Sequence, residues 1–189
     1  MRNDARLALK LASGLLEYPG HPAFWPRLVE RGSLADAIDR RLGTVFGAME
    51  QEGLAALEAL YVDTFDFDPK ASLYITAHEL PDSRERGRAL IELGALYRNA
   101  GYEVPADELP DYLPVVLELI AIRPDAVPPP ILDRVARVAG QLVDHLGPTH
   151  LYGSLFQVIG DCLGSSAEVP PVLEERPDLV DLPYPIDYQ

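Results

Sequence analysis

The chain has 189 residues and is 48% hydrophobic, enough for one compact domain with its own core. Sixteen lysines and arginines against 30 aspartates and glutamates give a formal net charge of -14, which disfavours nucleic acid and anionic membrane surfaces, since both recruit basic patches. A single cysteine, Cys162, rules out an internal disulfide and a cysteine-based zinc site, and its apolar helical context suits a buried structural thiol. With no apolar run of about 18 residues and no signal-like start after Met1, the expectation is a cytoplasmic protein without direct membrane insertion.

Leu7, Leu11, Leu15 and Tyr18 recur at spacings of three and four and predict a helix over 5–18, stopped by Pro19-Gly20. A further turn or two is expected around Phe24 to Val29, with Trp25 in the core. Ser33 suits the N-cap of the next helix, whose Leu34, Ile38, Leu42, Val45 and Met49 share a face. Gly53 separates it from a helix carrying Leu54, Leu57, Tyr61 and Phe65, and Pro69 ends the regular pattern by disfavouring helical geometry at Asp68. Asp63 and Asp66 sit at the C-terminal end of that helix, where the macrodipole favours cations. They cost a few tenths of a kcal/mol, roughly, unless an arginine of the chain or a basic side chain of a partner pairs with them.

Asp82 or Ser83 can cap a helix running to about Ala100, with Leu90, Leu93 and Tyr97 on one side. Gly87 and Gly94, seven apart within it, suggest close approach of another backbone, because glycine inside a helix costs about 1 kcal/mol against alanine. Gly101 stands where a C′ glycine stops a helix. Pro110 and Pro114 fall in or beside the first turn of the following helix, where a missing N–H is tolerated. That helix runs to about Ile122 with Leu113, Val116, Leu117 and Ile120 inward. Asp111 and Glu118, about 10 Å apart along the axis, form either a solvated face or one acidic wall of a groove.

The Pro128-Pro129-Pro130 run reads as a stiff connection rather than a domain boundary. Ile131, Val135, Val138, Leu142 and Leu146 mark a helix stopped at Gly147-Pro148, and Leu151, Leu155, Val158, Ile159 and Cys162 mark the last, closed by Gly164. The division is a helical domain over 1–165 and a proline-rich acidic tail over 166–189. The tail is extended or docked through apolar residues such as Leu173 and Tyr184. The histidines His21, His78, His145 and His150 have no metal-ligand spacing, no phosphate-binding glycine loop opens a helix, and no nucleophile motif is present. Sustained period-two alternation is absent, so the class is all-α.

Aromatic and acidic residues therefore crowd two helix ends: Tyr61-Val62-Asp63-Thr64-Phe65-Asp66-Phe67 with Ser72-Leu73-Tyr74, and Asp107-Glu108-Leu109-Pro110-Asp111-Tyr112-Leu113-Pro114. Together with Arg86-Gly87, Tyr97-Arg98 and Gly101, these segments resemble the NarJ family of nitrate reductase assembly chaperones, within the wider TorD and DmsD group of redox-enzyme maturation proteins. The resemblance implies a TorD-like helical bundle of about eight helices with an extended acidic C-terminal tail. It implies a chaperone rather than an enzyme, with no cofactor of its own, that binds the N-terminal segment of the nitrate reductase catalytic subunit. That subunit would be kept competent for molybdenum cofactor insertion and membrane assembly, with molybdenum cofactor biosynthesis proteins as further partners.

Carried over residue by residue, the family's aromatic motif falls on Tyr61 and Phe65, and its P-D-H-L-P signature on Pro110, Asp111, Tyr112, Leu113 and Pro114. With the neighbouring Asp66, Tyr74 and Glu118, the expected peptide-binding set is Tyr61, Phe65, Asp66, Tyr74, Pro110, Asp111, Tyr112 and Glu118. The family's usual histidine is Tyr112 here, which puts an imidazole-dependent role in doubt. The basic residues that commonly follow F-D-F are reduced to Lys70. Truncating Tyr61, Phe65 or Asp111 is expected to weaken peptide binding without unfolding the chain. Two other readings stay open: a chaperone for another molybdenum oxidoreductase of the dimethyl sulfoxide reductase type, and a helical enzyme with an acidic cleft.

Overall fold

Each apolar stripe becomes a helix because a neighbouring element covers it. The computed structural model describes residues 1–21, 24, 28, 38–80, 84–106 and 108–164. In chain order these form α1 (Asn3–Leu15), α2 (Arg40–Glu52), α3 (Leu54–Tyr61), a π-helical turn (Val62–Asp66), 3-10 turns at Pro69–Ala71 and Ile75–His78, α4 (Arg84–Asn99), α5 (Leu113–Ile122), α6 (Pro129–Leu146) and α7 (Leu151–Leu163). The fold is all-α and single-domain, and its one β pairing among the described residues is an isolated antiparallel bridge between Tyr74 and Tyr112. The expectations for Trp25, Ser33, Leu34, Asp82, Ser83, Asp107 and the 166–189 tail lie outside the described residues.

The centre of the bundle is α7, whose Tyr152, Leu155, Phe156, Val158 and Ile159 are all fully buried. It packs along α6 on one side and against α1 and α2 on others. Burying each such side chain contributes about 1.5–3 kcal/mol before conformational entropy is set against it. The faces expected for α2, α5 and α6 are buried in Leu42, Val45 and Met49, in Leu113, Val116, Leu117 and Ile120, and in Val135, Val138 and Leu142, while Ile38, Ile131 and Leu146 are only partly buried against the core. Asp39 caps α2, its side chain accepting from the Arg41 backbone N–H at 2.8 Å.

α1 lies antiparallel to α5 and is held there by polar contacts in register. Arg6 Nε donates to the Ala121 carbonyl at 2.8 Å, Lys10 pairs with Glu118, and Ser13 Oγ donates to the Pro114 carbonyl at 2.8 Å. Seven positions forward on α1 thus answer seven positions back on α5.

Two expectations for buried faces are corrected. Leu7 and Tyr18 are 38% and 44% exposed, while Leu9, Ala12 and Leu16 are fully buried, because α1 is covered by both α5 and α7 and therefore buries a wider, rotated arc. Leu54, at the first position of α3, is also exposed. The close backbone approach expected at Gly87 and Gly94 is not found: a Cβ at Gly87 would meet nothing within 4 Å, and one at Gly94 only the Arg98 guanidinium. Only Leu93 and Tyr97 of α4 are buried, so this helix lies on the body along one narrow edge.

Gly101 does end α4, at φ +82°. Its N–H donates to Arg98 O at 3.0 Å and the Tyr102 N–H to Tyr97 O at 2.9 Å, the paired closure that a left-handed C′ residue permits.

Candidate functional site

The first motif segment is shaped by the π-helical turn after α3. Thr64 Oγ1 donates to the Leu60 carbonyl at 2.6 Å, and the wider turn carries Thr64 and Phe65 inward while leaving Asp63 and Asp66 exposed. Phe65 meets Tyr61, Tyr152 and Phe156 edge-on at centroid distances of 4.9, 4.7 and 6.4 Å, and Tyr61 meets Tyr18 at 5.5 Å. Such edge-to-face pairs add about 0.5–1.5 kcal/mol each beyond burial.

The second segment is joined to the chain at 73–76. The Ile75 N–H donates to Asp111 O at 3.0 Å and the Leu113 N–H to Leu73 O at 2.7 Å, which sets the Tyr74 and Tyr112 rings 5.4 Å apart. Asp111 secures this bridge from inside. Fully buried, its Oδ2 accepts from Thr76 Oγ1 at 2.5 Å and from the Thr76 N–H at 3.3 Å, with Arg86 Nη2 at 3.9 Å. The turn that carries Thr76 is tied to α6 through Glu79, which takes Arg134 at 2.9 Å on one oxygen and Arg137 on the other.

Across the two segments the Tyr61 and Tyr112 hydroxyls lie 3.2 Å apart, and Tyr74 Oη donates to Glu108 Oε1 at 2.9 Å. Burial, and for Tyr74 also the Glu108 carboxylate, pushes the Tyr61 and Tyr74 phenols up to about 12. Burial raises Tyr112 as well, with Tyr61, Glu108 and Glu17 acting in the same direction. All three stay neutral and able to donate at physiological pH.

In front of Tyr112 a cleft of about 460 Å³ opens between the end of α1 and the start of α5. Its apolar lining includes Tyr18, Tyr112, Pro105, Pro114 and Val115. Its titratable lining among the described residues is Glu17, Glu108, Glu118, Tyr18, Tyr112 and His21, without a lysine or arginine. Gly20 allows the chain leaving α1 to turn beside it, since a Cβ there would come within 2.6 Å of the Tyr18 ring and of Glu58 Oε1. An acid-rimmed, ring-floored cleft of this kind suits an apolar side chain flanked by cations.

Of the expected set, Tyr112 and Glu118 line the cleft. Tyr61 stands behind Tyr112, and Tyr74 backs it from the other side. Phe65 is part of the core, Asp66 is exposed at the end of the π-helical turn, and Pro110 is half-buried in the turn before α5. Asp111 does not face outward with Glu118: it is fully buried, its Oδ2 held by Thr76 with Arg86 3.9 Å away, so the acidic wall is made by Glu17, Glu108 and Glu118 instead. Asp63 and Asp66 form no ion pair among the described residues, so no arginine of the described chain offsets their place at a helix end.

Sequence reasoning missed Glu17, Tyr18, Pro105 and Val115. Spacing alone places Tyr18 in the core stripe, and the Pro19-Gly20 stop just beyond it is the sign that this end of α1 leaves that stripe. No group of three or more His, Cys, Asp and Glu side chains among the described residues could hold a metal ion, and no helix there is long and apolar enough to cross a membrane.

The model of the nitrate reductase delta subunit family matches residues 30–128, more than half of the chain and all of the two motif segments. The chain belongs to this family. Among curated relatives it is 32% identical over 126 residues to the probable nitrate reductase molybdenum cofactor assembly chaperone NarW of Escherichia coli K12, covering 64% of this chain and 54% of the relative. It is 32% identical over 123 residues to the probable chaperone of the same description, NarJ, of Bacillus subtilis 168, covering 62% and 66%. It is also 45% identical over 96 residues to the nitrate reductase-like protein NarX of Mycobacterium tuberculosis H37Rv, covering 50% of this chain and 14% of that protein. The chain thus spans about half the length of the Escherichia coli relative. The family match takes in the Tyr74–Tyr112 bridge and Glu108 and Glu118, whereas Glu17 and Tyr18 on the opposite wall precede it.

Proposed function

We propose that this chain is a nitrate reductase assembly chaperone that binds the N-terminal segment of the catalytic subunit in the cleft between α1 and α5. The occupied subunit is kept competent for molybdenum cofactor insertion and membrane assembly, in the cytoplasm, by occlusion and mass action rather than by catalysis. The observation that carries this reading is the cleft itself: three carboxylates around a floor of tyrosine, proline and valine, in a chain of this family. A basic amphipathic helix would lay its apolar face on Tyr18, Tyr112 and Val115 and set its cations against Glu17, Glu108 and Glu118.

Two or three apolar anchors, each worth about 1.5–3 kcal/mol before association costs, suffice for roughly micromolar binding or tighter. Titration calorimetry of the full chain with a synthetic N-terminal peptide of the catalytic subunit tests it. Saturable one-to-one binding that Tyr112→Ala weakens at least about tenfold is expected, about 1.4 kcal/mol. Binding that is absent, or indifferent to Tyr112→Ala in a folded variant, rejects the cleft as the receptor.

A further inference from the structure

Glu118 is a cleft carboxylate that a cation of the same chain already holds, since Lys10 on α1 closes an ion pair with it across the α1–α5 contact. The pair is neither buried nor free: the two side chains retain 36% and 47% of their exposure, so water and an incoming cation both reach it. The other polar groups of the α1–α5 register are committed, Arg6 to the Ala121 and Ile122 carbonyls and Ser13 to the Pro114 carbonyl, and neither could replace Lys10 at Glu118. Glu108, another carboxylate of the cleft, takes only neutral donors among the described residues, Tyr74 Oη and the Leu109 N–H.

Resting on the cleft reading above, we propose that Lys10 is a resident competitor for the cationic side chain of the bound peptide. In the empty cleft Lys10 neutralises Glu118, and an arriving lysine or arginine takes Glu118 only by displacing it. The cost of that exchange keeps binding reversible, as handing a client on requires. A half-exposed ion pair of this kind is weak, so removing Lys10 is expected to tighten cation binding by about two- to fivefold and not by orders of magnitude. The cleft would also become more negative by one charge, so affinity would fall more steeply with added salt.

The test is calorimetry at low and moderate salt on the full chain as wild type, Lys10→Gln, Lys10→Met, Glu118→Gln and the Lys10→Gln/Glu118→Gln double variant. Two probes are used: the synthetic N-terminal peptide of the catalytic subunit and a designed leucine–lysine amphipathic helix. Lys10→Met keeps the apolar stem of the side chain, so agreement between the two Lys10 variants excludes a packing effect. The expected result is tighter binding and a steeper salt slope for both Lys10 variants, with the gain lost in the double variant. Unchanged or weaker binding in folded Lys10 variants overturns the assignment while leaving the cleft as receptor. If the wild type takes the designed helix but not the catalytic-subunit peptide, the client reading falls, and Lys10 stands or falls by its effect on the designed helix. If neither probe binds, both are overturned.

Discussion

The Tyr61 hydroxyl lies 3.2 Å from that of Tyr112, 51 positions further along the chain. This contact joins the end of α3 to the start of α5 and places a phenol that lines the cleft against one that belongs to the aromatic core. A rearrangement of Tyr112 on peptide binding would therefore be felt at Tyr61, which touches Tyr18 on the opposite wall.

That hydroxyl pair is expected to behave as a unit. Tyr61→Phe or Tyr112→Phe alone leaves a half-buried hydroxyl without its partner and costs about 1 kcal/mol, whereas the double variant costs little more than either single one. A double-mutant cycle in urea measures this, and additive single effects would show that the two hydroxyls do not interact.

Phe65 and Asp111 should report on stability before they report on binding. Phe65→Ala removes a ring packed on Tyr61, Tyr152 and Phe156 and should cost about 3–5 kcal/mol. Asp111→Ala leaves the buried Thr76 hydroxyl and N–H without their acceptor and removes the carboxylate beside Arg86, and should cost about 3 kcal/mol. Urea midpoints decide between this and the sequence-based expectation that these truncations weaken binding while sparing the fold. Midpoints within a few tenths of a molar of wild type would favour the latter.

Alkaline pH should destabilise the chain through its tyrosines. Tyr61 and Tyr74 have ordinary values of 10.0 that rise to about 12 in the fold, so the folded state binds their protons more tightly than the unfolded chain. Their contribution is complete below pH 10 and is lost as pH climbs from 10 to about 12. Phenolate absorbance followed beside circular dichroism should show these two ionising late and together with unfolding. Simple titration near pH 10 in a folded chain would contradict the burial described.

Cys162 should be a slow nucleophile. Burial first, then Asp39 and Asp161, push its thiol up to about 11 from 9.0. At pH 8 that lowers the thiolate fraction about hundredfold, and iodoacetamide labelling should slow at least in proportion relative to a denatured control. Labelling as fast as in the denatured chain would refute it.

The composition and spacing of this chain by themselves determined an all-α domain, the inward face of α5, the middle of the inward face of α6 and the glycine stop at Gly101, because each follows from contacts between residues three to five apart; on α7 they gave Leu155, Val158 and Ile159 but not the fully buried Tyr152 and Phe156. The resemblance carried by Tyr61 to Phe67 and Pro110 to Pro114 pointed to the family and to the two segments that meet. Which members of those segments face the cleft was decided only by tertiary structure. Asp111 and Glu118 look equivalent on a helical repeat, yet Thr76 and Arg86 draw one inside while Lys10 holds the other at the surface. Glu17 and Tyr18 became a wall only when α1 was laid antiparallel on α5. Local periodicity specifies which residues can share a face, but what that face meets depends on elements more than a hundred positions away.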